Sequence, residues 1–279
     1  MTNSGSQQLE PTWIQKLTQF TDLAANTIVT INDSLTPDFI SAVEENFPPE
    51  QSPRDWSILK DGLSCGYLTM HELRDKETGE LLSARLLCNY VSRFRGDPSF
   101  ALICYAVTPS AQTFDSHSES ATQMDNISRR GKSKGYGTYL FQRSQELLRN
   151  HMPHAIGLIG ECESATGWDL TKQRKQRLQW MSATGRLQIA EYSYQIPPLP
   201  ETYDRKILVA DRKGKTANGY LLITPFEKRT WLEGELLATI VEHIYSAGYG
   251  IDFDDPFMIE RLSQIVREKK YSLKELSMS

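Results

Sequence analysis

The stretch Arg130-Gly131-Lys132-Ser133-Lys134-Gly135-Tyr136-Gly137-Thr138-Tyr139-Leu140-Phe141 joins a cationic turn to the start of a predicted helix. Gly135 and Gly137 let the backbone turn tightly and approach a ligand closely, because neither carries a Cβ atom. The unpaired amides at the helix start point into the turn, where an anion gains roughly 0.3 to 1 kcal/mol from the helix dipole. The stretch therefore predicts a binding site for a phosphate group.

The composition is that of a globular protein and argues against nucleic acid as a partner. The chain has 279 residues, of which 39% are hydrophobic and 24% charged, and its formal net charge is -4. A general nucleic-acid binder is usually basic overall or carries a long basic face. Here the positive charge is local, around 129–134.

The cysteine spacing and the apolar runs predict a cytoplasmic protein without a membrane span. Cys65, Cys88, Cys104 and Cys162 form no CxxC pair and lie mostly in apolar runs, so we expect buried thiols in a reducing compartment. The polar first residues lack the apolar core of a signal peptide, and no run is long enough to cross a membrane.

We call the stretch 130–141 the cradle. N-terminal to it, the apolar pattern predicts helices and strands that build a sheet. Thr36 and Pro37 form a helix start, and a charged turn around Gly79 predicts a hairpin. The strand at 100–107 is apolar almost throughout and is expected at the centre of the sheet. The predicted strands are 27–31, 66–73, 81–90 and 100–107, and the predicted helices are 13–23 and 37–47.

After the cradle, the pattern predicts a βαβ unit followed by further strands and helices. The connection at 108–131 is far longer than the usual 4 to 6 residues or so, and we interpret it as a mobile insertion beside the site. The predicted helices are 136–150, 172–182, 231–245 and 256–269, and the predicted strands are 155–163, 187–196, 206–210 and 219–224. These elements predict an N-terminal extension at 1–26, a main domain at 27–226 and a helical C-terminal appendix at 227–279.

Two common phosphate-binding motifs fail on spacing. A Walker A loop ending at Gly131-Lys132-Ser133 requires a glycine five residues earlier, where Asn126 stands. The dinucleotide fingerprint requires a third glycine after Gly137, and Leu140 occupies that position. Neither motif describes the cradle.

The pattern Q/R-x-x-G-x-G/A does fit, as Lys132-Ser133-Lys134-Gly135-Tyr136-Gly137, between a central strand and an amphipathic helix. With this order of elements, the chain from 27 to 226 resembles the GNAT superfamily of N-acetyltransferases. The resemblance implies an α/β (α+β) fold, in which helices flank a mixed central sheet and a splayed strand pair binds acyl-CoA. Helical extensions would be added at both ends.

The resemblance also implies coenzyme A as the donor and identifies residues that bind it. In the family, the cradle amides bind the pyrophosphate, and the central strand binds the pantetheine arm and polarises the thioester carbonyl. Lys132 replaces the more usual Arg or Gln, and the insertion brings Arg130 close to the nucleotide phosphate. Carried over to this sequence, the implied contacts are Ala106, Val107, Thr108, Arg130, Lys132, Ser133, Lys134, Gly135, Tyr136, Gly137 and Thr138.

Acyl transfer to an amine requires a base, because an alkylamine with a pKa of about 10.4 is protonated at pH 7. Strand alternation places Glu161 and Glu163 on one face and Cys162 on the other. These two carboxylates are candidates to attract and deprotonate the acceptor, although surface carboxylates at a strand end are the competing interpretation. Glu72 is a second candidate base, and His71 is expected to be structural.

The usual general acid is missing from this sequence. Many family members place a tyrosine four residues before the glycine that ends the last helix, and Met181 stands there. Tyr192 and Tyr194 are substitutes, although tyrosines at such positions are more often part of the core. We expect an inert Cys162 and no metal, since Pro153 separates His151 from His154 without a nearby carboxylate.

The sequence thus predicts an acyl-CoA-dependent N-acyltransferase that acts on an amine. Met181 and the long insertion leave room for an acyl group longer than acetyl, including a fatty acyl group transferred to a lysine or ornithine side chain of a peptide. The acceptor is a small molecule or a peptide, and a homodimer is left open. The alternative is a non-catalytic acyl-CoA or peptide binder, and a third interpretation is nucleotide hydrolysis at Gly131-Lys132-Ser133.

Overall fold

A computed structural model describes residues 21–47, 56–91, 98–109, 135–163, 172–197 and 217–276. The strands are β1 Thr27–Asn32, β2 Leu68–Asp75, β3 Leu81–Tyr90, β4 Ser99–Val107, β5 Ala155–Glu163, β6 Leu187–Ile189, β7 Tyr194–Ile196, β8 Ala217–Pro225, β9 Trp231–Glu233 and β10 Lys270–Glu275. The helices are α1 Thr21–Asn26, α2 Pro37–Asn46, α3 Ser57–Ser64, α4 Tyr136–His151, α5 Lys172–Ala183, α6 Gly234–His243 and α7 Pro256–Ser263, and a π-helix spans Ile244–Gly248.

One mixed sheet organises these elements. Its order is β1-β2-β3-β4-β5-β8-β6-β10-β9, with β7 paired to β8. The pair β4 and β5 is parallel, and the other described pairs are antiparallel. The predicted α/β fold, with a mixed sheet flanked by helices and the strand at 100–107 near its centre, is confirmed.

The two central strands separate along their length. Parallel pairing between β4 and β5 includes Leu102 opposite Ile159 and does not continue beyond them. The register of β4 against β3 shifts between Ile103 and Tyr105, so Cys104 is the extra residue of a β-bulge. A bulge bends its strand and increases the local twist. The carboxyl-terminal halves of β4 and β5 therefore diverge and leave a gap in the sheet.

Helices cover both faces of the sheet. The fully buried Phe39 and Val43 of α2 belong to the main core together with Leu237 and Ile240 of α6. On the other face, Phe141 of α4 packs in a second cluster. Other members of that cluster are Leu87, Ala101, Leu148, Met152, Ala155 and Leu158.

Several predicted elements have their expected bounds within a residue or two. The Thr36 hydroxyl caps α2 by accepting from the Phe39 amide, and Pro37 occupies the first turn. Gly185 follows α5 with φ of 77°. Helix α3 was not predicted. It is a single short amphipathic segment with only Leu63 buried, so its apolar pattern is weak.

The region after α5 corrects two predictions. The strand predicted at 187–196 is two short strands, because the chain turns at Glu191, which has a left-handed φ of 65°. The segment predicted to be a helix from 231 begins as β9. In the C-terminal part, β10 pairs with both β6 and β9. The appendix is therefore not purely helical, and its strands extend the central sheet. The predicted strand 206–210 lies outside the described residues.

One cysteine prediction is also wrong. All four cysteines are free, and Cys88 and Cys162 are buried while Cys104 is partly buried. Cys65 is exposed, because it follows the last residue of α3 on the surface rather than lying in an apolar run.

Candidate active site

The gap between β4 and β5 opens into a cavity of about 360 Å³. Its wall is formed by the ends of these strands, the start of α4, the end of α5, and side chains from β3 and α2. The predicted site residues that line it are Ala106, Val107, Thr108, Gly137, Thr138 and Glu161. The fold thus brings five predicted donor contacts and one predicted base into a single cavity, whereas the described contacts Gly135 and Tyr136 are not among its lining residues.

The start of α4 forms one end of the cavity. Gly135 is the N-cap with a left-handed φ of 80°, and no side chain caps the helix there. The first turn carries no acidic residue, so its unpaired amides favour an anion. A Cβ atom added at Gly137 would lie 3.3 Å from the Thr108 Oγ1 atom. Glycine at 137 therefore permits the close approach of the helix start to the end of β4.

Glu161 of β5 also lines the cavity and is partly buried. The Tyr194 hydroxyl donates to its Oε1 atom, and the Tyr249 hydroxyl lies 3.2 Å from its Oε2 atom. Burial raises the pKa of the Glu161 carboxyl to about 7, although both tyrosine hydroxyls oppose the rise by donating to it. The carboxyl is thus held in a fixed orientation with a pKa near neutral pH.

Two buried arginines lie on the α4 and α5 side of the cavity. Arg85 of β3 is 1% exposed and Arg186, which follows α5, is 4% exposed. Both guanidinium carbons lie 4.7 Å from the centre of the Phe141 ring and about as close to the Trp180 ring. Burial lowers the pKa of both guanidinium groups, that of Arg186 to about 10. This wall of the cavity is strongly cationic.

Helix α5 contributes Trp180 and Met181 to the same wall. The Trp180 indole donates to the Thr138 hydroxyl over 2.9 Å, which ties α5 to the first turn of α4. Met181 is 7% exposed and packs in an apolar cluster with Cys162 and Leu178. The position where the family often has a tyrosine is therefore apolar.

Two other candidates, Glu72 and Tyr192, are not among the residues that line the cavity, whereas the candidate acid Tyr194 contacts Glu161. Glu72 is 1% exposed and its carboxylate accepts from Arg74, Asn32 and Thr36. This network links β1, β2 and α2, which is a structural role. The Tyr192 hydroxyl is buried without a hydrogen-bond partner, and burial raises its pKa above the ordinary value.

His71 is buried and contacts the Ser144 hydroxyl, and burial lowers its pKa to about 4. The histidine is therefore neutral at physiological pH. This agrees with the structural role expected for it.

Several predicted residues cannot be placed in the cavity. Glu163 pairs with Gly219 through the backbone, but its side chain lies outside the described part of the structure. The predicted contacts Arg130, Lys132, Ser133 and Lys134 lie outside the described residues altogether.

The residues of the cavity region that were not predicted include Arg85, Arg186 and Tyr249. Arg85 interrupts the strand Leu81–Tyr90, which is otherwise largely apolar, and a charged residue at a buried position is a recognisable signal. Tyr249 follows the π-helix, 88 positions from Glu161 in sequence. No local pattern connects residues so far apart.

Within the described ranges, no group of three or more metal-ligating side chains lies close enough to hold a metal ion. In the same ranges, no helix combines the length and apolar character needed to cross a membrane.

No protein-family model matches the sequence, and a comparison with curated protein sequences finds no match. Among solved structures, similar ones include a protein from Bacteroides thetaiotaomicron assigned to the GNAT family of acetyltransferases. It aligns with 16% identity and a TM-score of 0.49 over 80% of this chain and 99% of that chain.

Two further similar structures are acetyltransferases. The ribosomal-protein-S5-alanine acetyltransferase of Vibrio fischeri has 9% identity and a TM-score of 0.43, over 73% of this chain and 94% of its own. Arabidopsis thaliana NAA60, solved with acetyl-CoA, has 10% identity and a TM-score of 0.38, over 71% of this chain and 98% of its own. At such identities, function must be inferred from the residues of this chain.

Proposed function

We propose that the protein is an acyl-CoA-dependent N-acyltransferase, which moves an acyl group from a coenzyme A thioester to an amine. The observation that carries the proposal is that one cavity is lined both by the first turn of the uncapped helix α4 and by Glu161. A helix start that favours an anion and a carboxyl with a pKa near 7 both suit this reaction, because the first can hold the donor and the second can act as a base.

The donor side of the cavity fits coenzyme A. The strand pairing between β4 and β5 ends at Leu102 and Ile159, which leaves room beside the end of β4 for the amides of a pantetheine arm. The unpaired amides of Tyr136, Gly137 and Thr138 suit a pyrophosphate. Coenzyme A supplies the activated acyl thioester when it is bound.

Glu161 is the group that removes the proton from the acceptor. A base works best when its pKa lies close to the working pH, because it is then both available and strong enough. The hydroxyls of Tyr194 and Tyr249 hold the carboxyl in place. Glu163 stays a second candidate, whereas Met181 offers no proton.

We extend the proposal to the acyl group and the acceptor. The cavity is small and has two guanidinium groups in its wall, which favours a short or polar acyl group over a fatty chain, since burying alkyl groups against unpaired charges is unfavourable. The acceptor is a primary amine of a small molecule or of a peptide, including a lysine or ornithine side chain.

The competing proposal is a non-catalytic acyl-CoA binder, which the apolar Met181 favours. Thiol release from acetyl-CoA and longer acyl-CoA donors, measured against a panel of amines, separates the two. Release that depends on the amine supports the enzyme. Binding of coenzyme A by calorimetry without release under any of these conditions supports the binder, and the absence of both overturns both proposals.

A further inference from the structure

The guanidinium groups of Arg85 and Arg186 lie in the wall of the cavity and have no negative partner in the part of the chain that the structure describes. No carboxylate among the described residues forms a salt bridge with either group, and the Arg85 Nη2 atom donates a hydrogen bond to the Gly137 carbonyl over 2.7 Å. Four nitrogen atoms remain buried without partners: Arg85 Nε, Arg85 Nη1, Arg186 Nε and Arg186 Nη2.

Buried guanidinium groups ordinarily pair with an anion, because leaving them unpaired loses their hydration without compensation. The Phe141 and Trp180 rings stack against both groups and account for part of the stabilisation. The faces of these rings, however, do not accept hydrogen bonds from the N–H groups, which lie in the plane of the guanidinium. Two residues that line one cavity therefore carry four in-plane donors without partners, and such donors match the oxygens of a carboxylate.

The location of the pair indicates which substrate would carry the anion. Arg186 lies close to Gly160 on one face of β5, with 3.7 Å between its Nη1 atom and a Cβ built at Gly160. Glu161, the next residue, points to the opposite face, as strand alternation requires. The arginines thus lie on the side of the helices α4 and α5, where the donor enters, and not on the side of Glu161.

We propose that Arg85 and Arg186 form a subsite for a carboxylate on the acyl group of the donor. This inference rests on the proposed function and makes the donor a dicarboxylic acyl thioester, such as a malonyl or succinyl thioester, rather than an acetyl or fatty acyl thioester. Both guanidinium groups are buried and cannot pair with water, so an uncharged acyl group would leave them without a partner.

Calorimetry with the full chain tests the subsite by comparing succinyl-CoA, acetyl-CoA and coenzyme A at matched ionic strength. We expect succinyl-CoA to bind at least tenfold more tightly than acetyl-CoA. The Arg186→Met variant should lose this preference but still bind coenzyme A, and Arg186→Lys should recover only part of it. Equal binding of the two donors by the natural protein overturns the subsite and leaves the N-acyltransferase proposal in place.

The Arg149→Met variant is the matched control. Arg149 also stacks on an aromatic ring, with 5.2 Å between its guanidinium carbon and the Phe226 ring centre, but it does not line the cavity. It should keep the preference for succinyl-CoA, and a loss equal to that in Arg186→Met contradicts the subsite.

Free succinate is a second probe that does not depend on coenzyme A. If coenzyme A does not bind but succinate quenches tryptophan fluorescence in the natural protein and not in Arg186→Met, the arginine pair binds a carboxylate, whereas the proposed function and the acyl-CoA donor are overturned. If succinate has the same effect on both proteins, the subsite is overturned.

Discussion

At the scale of single residues, Glu161 has the environment of a general base. Its carboxyl is surrounded by two buried tyrosines, and burial raises its pKa to about 7. A carboxylate with the ordinary pKa would be a much weaker base at neutral pH. Burial of Glu161 would assist catalysis because it raises the pKa of the carboxyl. The same burial makes the charged carboxylate unfavourable in the folded protein.

The Tyr249→Phe substitution tests how the tyrosines tune this carboxyl. The Tyr249 hydroxyl donates to the charged form of Glu161, so removing it should raise the pKa of Glu161 further, by about half a unit to one unit. The acidic limb of the pH profile of kcat/KM should move to higher pH. Tyr245→Phe is the control, because the Tyr245 hydroxyl donates to the Gln195 carbonyl instead; an equal shift in both variants contradicts the prediction.

The Glu161→Gln substitution should change how stability depends on pH. The pKa of Glu161 is raised from 4.5 in the unfolded chain to about 7 in the folded protein, so its stabilising effect is complete below pH 4.5 and is lost as the pH rises through 7. The variant should therefore be more stable than the natural protein at pH 8, by on the order of 1 to 3 kcal/mol, and similar to it at about pH 4.

Thermal unfolding across this pH range measures the effect. The exposed Glu235→Gln variant is the control and should follow the natural protein at every pH. A constant difference between Glu161→Gln and the natural protein at all pH values contradicts the assigned shift.

At the scale of elements, the site depends on how closely the start of α4 approaches β4. Gly137→Ala places a Cβ atom 3.3 Å from the Thr108 Oγ1 atom, which Thr108 can relieve only by moving a few tenths of an ångström. We expect the affinity for coenzyme A to fall several-fold. Folding stability should not fall, because alanine is favoured over glycine in a helix by about 1 kcal/mol.

Calorimetric titration with coenzyme A, together with thermal unfolding of the same variant, measures both effects. Gly248→Ala is the control, since a Cβ atom there meets no heavy atom within 4 Å. Unchanged affinity in Gly137→Ala contradicts a coenzyme A site at the close approach of α4 to β4.

The sequence predicted the elements whose signals are local. The Thr36-Pro37 helix start and the hairpin of β2 and β3 are examples, because capping residues and apolar alternation act within a few positions. Strand β10 was missed because its pairing with β6 and β9 joins residues far apart in sequence. The break at Glu191 was missed because a positive φ at a glutamate has no characteristic sequence signal.

The candidate site shows the same contrast between local sequence signals and contacts of residues far apart in the chain. Glu161 was predicted from its place at the end of a strand, and the structure puts it in the cavity. Its partner Tyr249 and the cation Arg186 were not predicted, because tertiary contacts bring them to the cavity from separate segments. Glu72 was a reasonable candidate by residue type, but its salt bridge to Arg74 was not visible in the sequence.

At the scale of the whole molecule, the C-terminal segment is part of the same sheet as the site. Tyr271 of β10 is 2% exposed, and its hydroxyl accepts a hydrogen bond from the Val266 amide over 3.0 Å. The neighbouring strand β6 pairs with β8, which in turn pairs with β5. Loss of β10 packing should therefore destabilise the sheet that carries Glu161.

The Tyr271→Ala substitution should lower the free energy of unfolding by about 3 to 5 kcal/mol, as expected when a large buried aromatic side chain is removed. Urea denaturation measures this loss. Lys274→Ala, at an exposed position of the same strand, should change stability by less than about 0.5 kcal/mol. Equal effects of the two variants contradict the buried role of Tyr271.

The pH profile of amine-dependent acyl transfer, in the natural protein and in Glu161→Gln, tests the central proposal most directly. We predict that kcat/KM of the natural protein rises with pH to a plateau above about pH 7, because Glu161 must be deprotonated to accept a proton. In Glu161→Gln, kcat/KM should fall by roughly 10²- to 10⁴-fold and lose this transition. Amine-dependent transfer with the same rate and pH profile in both proteins, or no transfer by the natural protein from any acyl-CoA donor, would contradict it.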